Sequence, residues 1–168
     1  NLFAAATCSF LVGVPENNIG SAIKEFQGVE HRLEHVKFIN NVEFVNDSKA
    51  TNIQSVKVAI DSYNKPIILI LGGYNKGADF RLLLPHIKSS NVRDIVSYGD
   101  AGGQINTALG DAVSSVQVTD LNSAVKKAHS LATPGDIVLL SPGCASFDQF
   151  PNFEVRGNFY KSVVRNEL

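Results

Sequence analysis

Methionine is absent from this 168-residue chain, and cysteine occurs only at Cys8 and Cys144. Two cysteines so far apart make neither a disulfide framework nor a metal knuckle, and they fit a reducing compartment, the cytoplasm. Neither sign of charge is in excess. Lys+Arg of 15 against Asp+Glu of 16 give a formal net charge of −1, which lacks the basic surplus that nucleic acid or an anionic membrane requires. The apolar opening over residues 2–14 has no basic flank and is too short to cross a bilayer. It reads as a core helix. Without Met, and with Leu2, Ala5, Ala6 and Phe10 already at helical spacing from the first residues, the chain is expected to be a piece of a longer protein.

Signature motifs are missing as well. There is no Gly-x-Gly-x-x-Gly fingerprint and no Walker A spacing, which counts against a dehydrogenase domain. His35, His86 and His129 lie apart without metal-ligand spacing and read as surface or packing residues, so no metal ligand is expected in the chain. No internal repeat or low-complexity segment occurs.

What is present is an ordinary soluble composition, 44% hydrophobic and 18% charged, in a length that usually makes one domain. Residues 1–11 and 19–26 read as short helices interrupted by Gly13 and Pro15, followed by a linker at Gln27-Gly28-Val29. Two β-type runs, residues 36–39 and 42–45, flank Asn40-Asn41, a pair suited to a tight hairpin turn. Apolar strands then alternate with helical segments: strands at 67–71, 95–98, 116–118 and 137–140, helices at 82–87, 105–109, 121–131 and 153–164. Continuous apolar strands separated by helices predict a three-layer, Rossmann-like α/β fold, a mostly parallel sheet with helices on both faces. Right-handed crossovers would bring the loops after successive strands to one edge.

Three runs stand where those strands end. The first is Asn46-Asp47-Ser48-Lys49-Ala50-Thr51-Asn52, which puts a carboxylate, an ammonium and two hydroxyls at a strand-to-helix junction, the place where open α/β sheets hold polar ligands. The blander reading has Asp47 or Ser48 capping a helix that starts near Thr51, with Lys49 solvated. The second, Gly72-Gly73-Tyr74-Asn75-Lys76-Gly77, is at its simplest a turn whose glycines allow positive φ. In the third, Ser141-Pro142-Gly143-Cys144-Ala145-Ser146, Ser146 could cap the next helix. Cys144 is a poor nucleophile candidate because no His stands in its loop. Phe147 and Phe150 read as core, and His31-Arg32-Leu33-Glu34 as an exposed, charged entry to the hairpin with His31 structural.

Together the three runs resemble the C-terminal domain of the Mur ligases, most closely the branch that adds D-glutamate. The match of Asn46–Asn52 is unbroken over seven residues, whereas Asn75 replaces a frequent acidic residue and Gly143 a frequent Ala. The resemblance implies that residues 1–29 end a central ATPase domain and residues 30–168 form the glutamate-binding domain. It implies that Asp47 holds the nucleotide ribose and that Arg32 and Asn1 lie by the nucleotide. Lys49 would act catalytically at the phosphates, and D-glutamate would lie among Thr51, Lys76, Ser146 and Phe153. The implied activity is an ATP- and Mg²⁺-dependent ligation of D-glutamate to UDP-N-acetylmuramoyl-L-alanine in cytoplasmic peptidoglycan synthesis, by a monomer. In that family the phosphate loop and metal ligands precede this stretch, so the chain alone is expected to be inactive. The diaminopimelate- and lysine-adding relatives carry an Asp-Asn-Pro motif that is absent here, and Lys76 with Ser146 suits an acidic amino acid. The alternative is a stand-alone Rossmann-like module that binds a nucleotide or acidic metabolite without catalysis.

Overall fold

The computed structural model describes residues 2–26 and 28–168. Asn1 and Gln27, the latter in the expected linker, lie outside the described residues. A six-stranded sheet has the order β1-β2-β6-β3-β4-β5. Its strands are β1 Glu34–Ile39, β2 Val42–Asn46, β3 Ile67–Gly72, β4 Val92–Tyr98, β5 Ser114–Gln117 and β6 Ile137–Gly143. β1 and β2 form the expected antiparallel hairpin, and every other pairing is parallel. At its turn Asn40 and Asn41 both take positive φ, 49° and 62°, the conformation that Asn tolerates and that tight hairpins need.

The helices are α1 Leu2–Leu11, α2 Glu16–Glu25, α3 Ile53–Asp61, α4 Leu84–Ser89, α5 Gly102–Leu109, α6 Leu121–Leu131 and α7 Phe153–Asn166, with a 3-10 turn at Phe80–Leu83 before α4. Side chains alternate across the central strands, and two cores result. Ile67, Leu69 and Leu71 face α3, α4 and α5, whereas Ile68 and Ile70 face α6 and α7. Burying both faces explains why these strands are apolar throughout. The chain leaves β3 for β4 on one side and returns from β5 to β6 on the other. The carboxyl ends of β3 and β6 are therefore a topological switch point, where open α/β sheets form a crevice.

Several expectations need correction. The apolar opening over residues 2–14 does not form a core helix: α1 buries none of its described residues, and Phe3 is 88% exposed. α1 packs on α2, and Leu2, Ala5, Ala6, Ile19 and Phe26 line an open apolar cleft of about 380 Å³ between them. α2 starts at Glu16, earlier than expected, because Pro15 fits just ahead of a helix and interrupts only what precedes it. Phe147 is 66% exposed, since the chain turns away from the sheet after Ser146, while Phe150 is partly buried against the α6–α7 core. Among the described residues no helix is long and apolar enough to cross a membrane.

Candidate active site

Neither Asp47 nor Ser48 caps α3. Asn52 does, its Oδ1 accepting from Ser55 N–H at 2.9 Å, and Asn152 likewise caps α7 in place of Ser146. The strand-end side chains are thereby left for other work. Asp47 is 3% exposed; its Oδ2 accepts from the Ser141 hydroxyl at 2.9 Å and its Oδ1 from Leu33 N–H at 3.3 Å. Burial pushes its carboxyl up to about 6, against the pull of those two donors and of the nearby Arg32 charge. Arg32 itself is exposed.

The loop that carries Arg32 is strained and held from several sides. His31 and Leu33 both have positive φ, 62° and 46°, rare for such residues. His31 is buried, not exposed as the charged sequence around it suggests, and its Nδ1 accepts from Asn46 Nδ2 at 3.0 Å. Asn46 Nδ2 also donates to Glu34 Oε2 at 2.9 Å, and Lys161 of α7 bridges Glu30 and Glu34. Glu30, His31 and Glu34 bring donor atoms within 4.8 Å of one another, but the Lys161 ammonium already supplies the cation between the two carboxylates. The remaining histidines pack or pair ordinarily: His35 with Glu43 and Phe38, His86 with Asp61, His129 against Phe44.

At the switch point the loops after β3 and β6 are tied by an isolated antiparallel bridge between Tyr74 and Ala145, with N–H···O distances of 2.9 and 3.1 Å. Close approach explains the paired glycines. Gly72 and Gly73 have φ of 149° and 121°, and a Cβ on either would collide with a backbone carbonyl oxygen, of Tyr98 or of Ala145 respectively. Lys76, two residues beyond the bridge, is exposed, and Ser146, one residue beyond it, is buried. Asn75, where an acidic residue was noted as frequent, turns inward: its Oδ1 accepts from the Gly77 and Ala78 N–H groups and its amide donates to Gln104 at 2.7 Å.

The residue that joins these parts is one to which the sequence alone assigns no role. Arg156, fully buried on α7, donates from Nε to Ser48 Oγ at 3.0 Å, from Nη2 to Ser48 O at 2.9 Å and from Nη1 to Cys144 O at 3.1 Å. No carboxylate pairs with it among the described residues. Its signal in the sequence is positional, because Arg156 shares the inner face of α7 with Tyr160, Val163 and Val164. Ser48 in turn donates to the Phe153 carbonyl at 2.8 Å, and Lys49 Nζ stands 5.5 Å from the Phe153 ring centroid. Thr51 is half-buried on the same loop. Burial pushes the Cys144 thiol up to about 12, the Arg156 charge opposing, the Asp148 carboxylate adding to the push and the Lys76 charge opposing more weakly, so it is no thiolate nucleophile. Of the eight expected site residues, Asp47, Lys49, Thr51, Lys76, Ser146 and Phe153 follow the carboxyl ends of β2, β3 and β6 and so share one rim of the sheet, Arg32 flanks it, and Asn1 lies outside the described residues; Lys49 serves in two expected roles.

The crevice at the switch point of an open α/β sheet is the usual place for a small polar ligand. The family model described as "Mur ligase, glutamate ligase domain" matches residues 31–144, and the chain belongs to that family. It is 43% identical, over 98% of its length, to a UDP-N-acetylmuramoylalanine--D-glutamate ligase of Acidobacterium capsulatum, and 40% identical over 99% to one of Chloroherpeton thalassium. In both cases it spans 35% of the relative. Among solved structures it is similar in fold to MurF from Acinetobacter baumannii, with TM-score 0.67 and 15% identity over 92% of this chain and 36% of that one. E. coli FolC in complex with ADP gives 0.65 and 18% over the same shares of the two chains.

Proposed function

We propose that this chain is the amino-acid-holding part of an ATP-dependent ligase that joins D-glutamate to UDP-N-acetylmuramoyl-L-alanine. The observation that carries the reading is the bridge between Tyr74 and Ala145, which ties the loops after β3 and β6 together and so sets the exposed Lys76 ammonium and the buried Ser146 hydroxyl within two residues of one point, a pair that suits an acidic amino acid better than a cationic one. Lys76 would pair with one carboxylate of D-glutamate as an accessible ammonium. Ser146 would donate to the other, Thr51 would add a hydroxyl, and Phe153 would wall the pocket. Residues 1–29 would belong to a preceding central domain and residues 30–168 to the domain that closes over it.

The nucleotide would sit on the neighbouring part of the rim. Both Asp47 oxygens keep a lone pair beyond the bonds described, enough for two ribose hydroxyls. Arg32 would offer its guanidinium fork to phosphate or ribose, and Lys49 would neutralise charge on the transferring phosphoryl group. ATP, with Mg²⁺, would supply the activation that a carboxylate needs, because oxide is too poor a leaving group. The free amine of D-glutamate then attacks the activated acyl carbon, the C–N bond forms, the bond to the phosphate oxygen breaks, and a proton and phosphate leave. The reaction would run in the cytoplasm, where ATP is supplied, with the protein acting as a monomer.

The test is amino-acid dependence in the full-length protein. With ATP, Mg²⁺ and the UDP-linked acceptor, D-glutamate should release one phosphate per UDP-linked product heavier by one glutamyl residue. Equal turnover with L-lysine or meso-diaminopimelate, or none with D-glutamate, would contradict the reading.

A further inference from the structure

Asp47 owes its setting to a neighbour with no role so far. It follows the last residue of β2, and Ser141 follows Leu140, which pairs with that last residue, Asn46, so the two stand side by side just past the ladder. The backbone fixes this register, Asp47 N–H donating to the Leu140 carbonyl at 2.8 Å. Ser141 exposes nothing, and its hydroxyl points at Asp47 Oδ2 at 2.9 Å. We infer that Ser141 is a positioning residue for nucleotide binding: its hydroxyl holds the Asp47 carboxylate ionised and in one orientation, ready to accept two ribose hydroxyls. The inference rests on the reading of Asp47 as the ribose holder.

The chemistry asks for such a device. A buried carboxylate tends to take up a proton, and once protonated it has one acceptor fewer for a pair of vicinal hydroxyls. Three groups oppose that uptake at Asp47, namely the Ser141 hydroxyl, Leu33 N–H and the Arg32 charge, with burial acting against them. Tyr63, the other titratable group coupled to Asp47, is pushed up to about 12, chiefly by burial, and so remains neutral across the working range. The Leu33 donor is longer, at 3.3 Å, and Arg32 is exposed and screened. Ser141 is thus the shortest of these contacts and the most shielded from solvent.

The experiment follows KM for ATP in the full-length protein from about pH 5 to about pH 8.5, in wild type, Ser141→Ala, Ser141→Thr and Asp47→Asn. Titration of the nucleotide phosphates is common to all and cancels in the differences. Ser141→Ala should move the acid-side rise in KM to higher pH by about one unit, because loss of a hydrogen bond to the charged form raises the carboxyl pKa. Ser141→Thr, which keeps the hydroxyl, should retain the wild-type profile, and KM for D-glutamate should not change in either. Should Ser141→Ala fold poorly, Ser141→Cys preserves the volume with only a weak donor and should give the same shift. An Ala or Cys profile that superimposes on wild type, or a rise in KM equal at every pH, would overturn the inference and leave Ser141 a packing residue. Asp47→Asn with unchanged KM for ATP would instead remove the ribose reading itself, and with it the inference.

Discussion

The rim of strand ends is built in two ways. On the side of the loop after β2, two charged groups lie inside the protein: Asp47 and Arg156 are 3% and 0% exposed, and each is bound to hydroxyl or backbone partners from other elements. On the side of the loop after β3, Tyr74 is 48% exposed, Lys76 is exposed, and the loop is shaped by its glycines and by Asn75 bonding to its own backbone. Burial fixes geometry without waiting for ligand, but it takes charge out of water and costs stability. Exposure costs nothing in the free protein and leaves an ammonium whose pairing begins only when an anion arrives. One half is preorganised, and the other is a hand held open.

Substitutions should therefore separate stability from activity across the rim. The largest effect on stability is expected for Arg156→Met, which strands Ser48 Oγ, Ser48 O and Cys144 O with no donor. Three orphaned acceptors outweigh the relief of an unpaired buried charge, so urea unfolding should give a loss of about 2–4 kcal/mol. Asp47→Asn should do the opposite. The Asp47 carboxyl is raised to about 6 when folded, against about 3.9 in an unfolded chain, so the native state binds the extra proton between those values. Stability from this group is fully present below about pH 4 and lost as pH rises through about 6. Asp47→Asn should accordingly stabilise the protein by about 1–2 kcal/mol at neutral pH, and the gain should vanish towards pH 4, read from urea midpoints at the two pH values. Lys76→Ala should shift stability least, by within about 0.5 kcal/mol, because its ammonium is exposed and makes no hydrogen bond or ion pair among the described residues.

The same contrast decides what was legible in the sequence. Elements whose cause is local could be read: the Asn40-Asn41 hairpin, and the doubly buried strands such as Ile67–Gly72 that require helices on both faces. The glycine loop was read as a turn, but why it needs two glycines emerges only when Tyr98 and Ala145 are seen pressing on them. Arg156 has no task that the sequence reveals, since its three acceptors come from segments 12 and 108 residues away in sequence. Helix α1 misled for the converse reason. Apolar spacing tells which side of a helix seeks cover, not that the cover lies in the same stretch of chain, and α1 buries none of its described residues. Phe147 likewise has a core composition at a position where the chain has already left the sheet.

The most direct measurement is kcat/KM for D-glutamate in full-length Lys76→Ala, with ATP saturating. An ammonium that pairs with a substrate carboxylate at the switch point should be worth about 2–4 kcal/mol, a loss of roughly 30- to 1,000-fold, with the urea midpoint and KM for ATP unchanged. A normal kcat/KM for D-glutamate in that variant would contradict the account and reduce the residues 72–77 loop to a turn between β3 and the helices that follow.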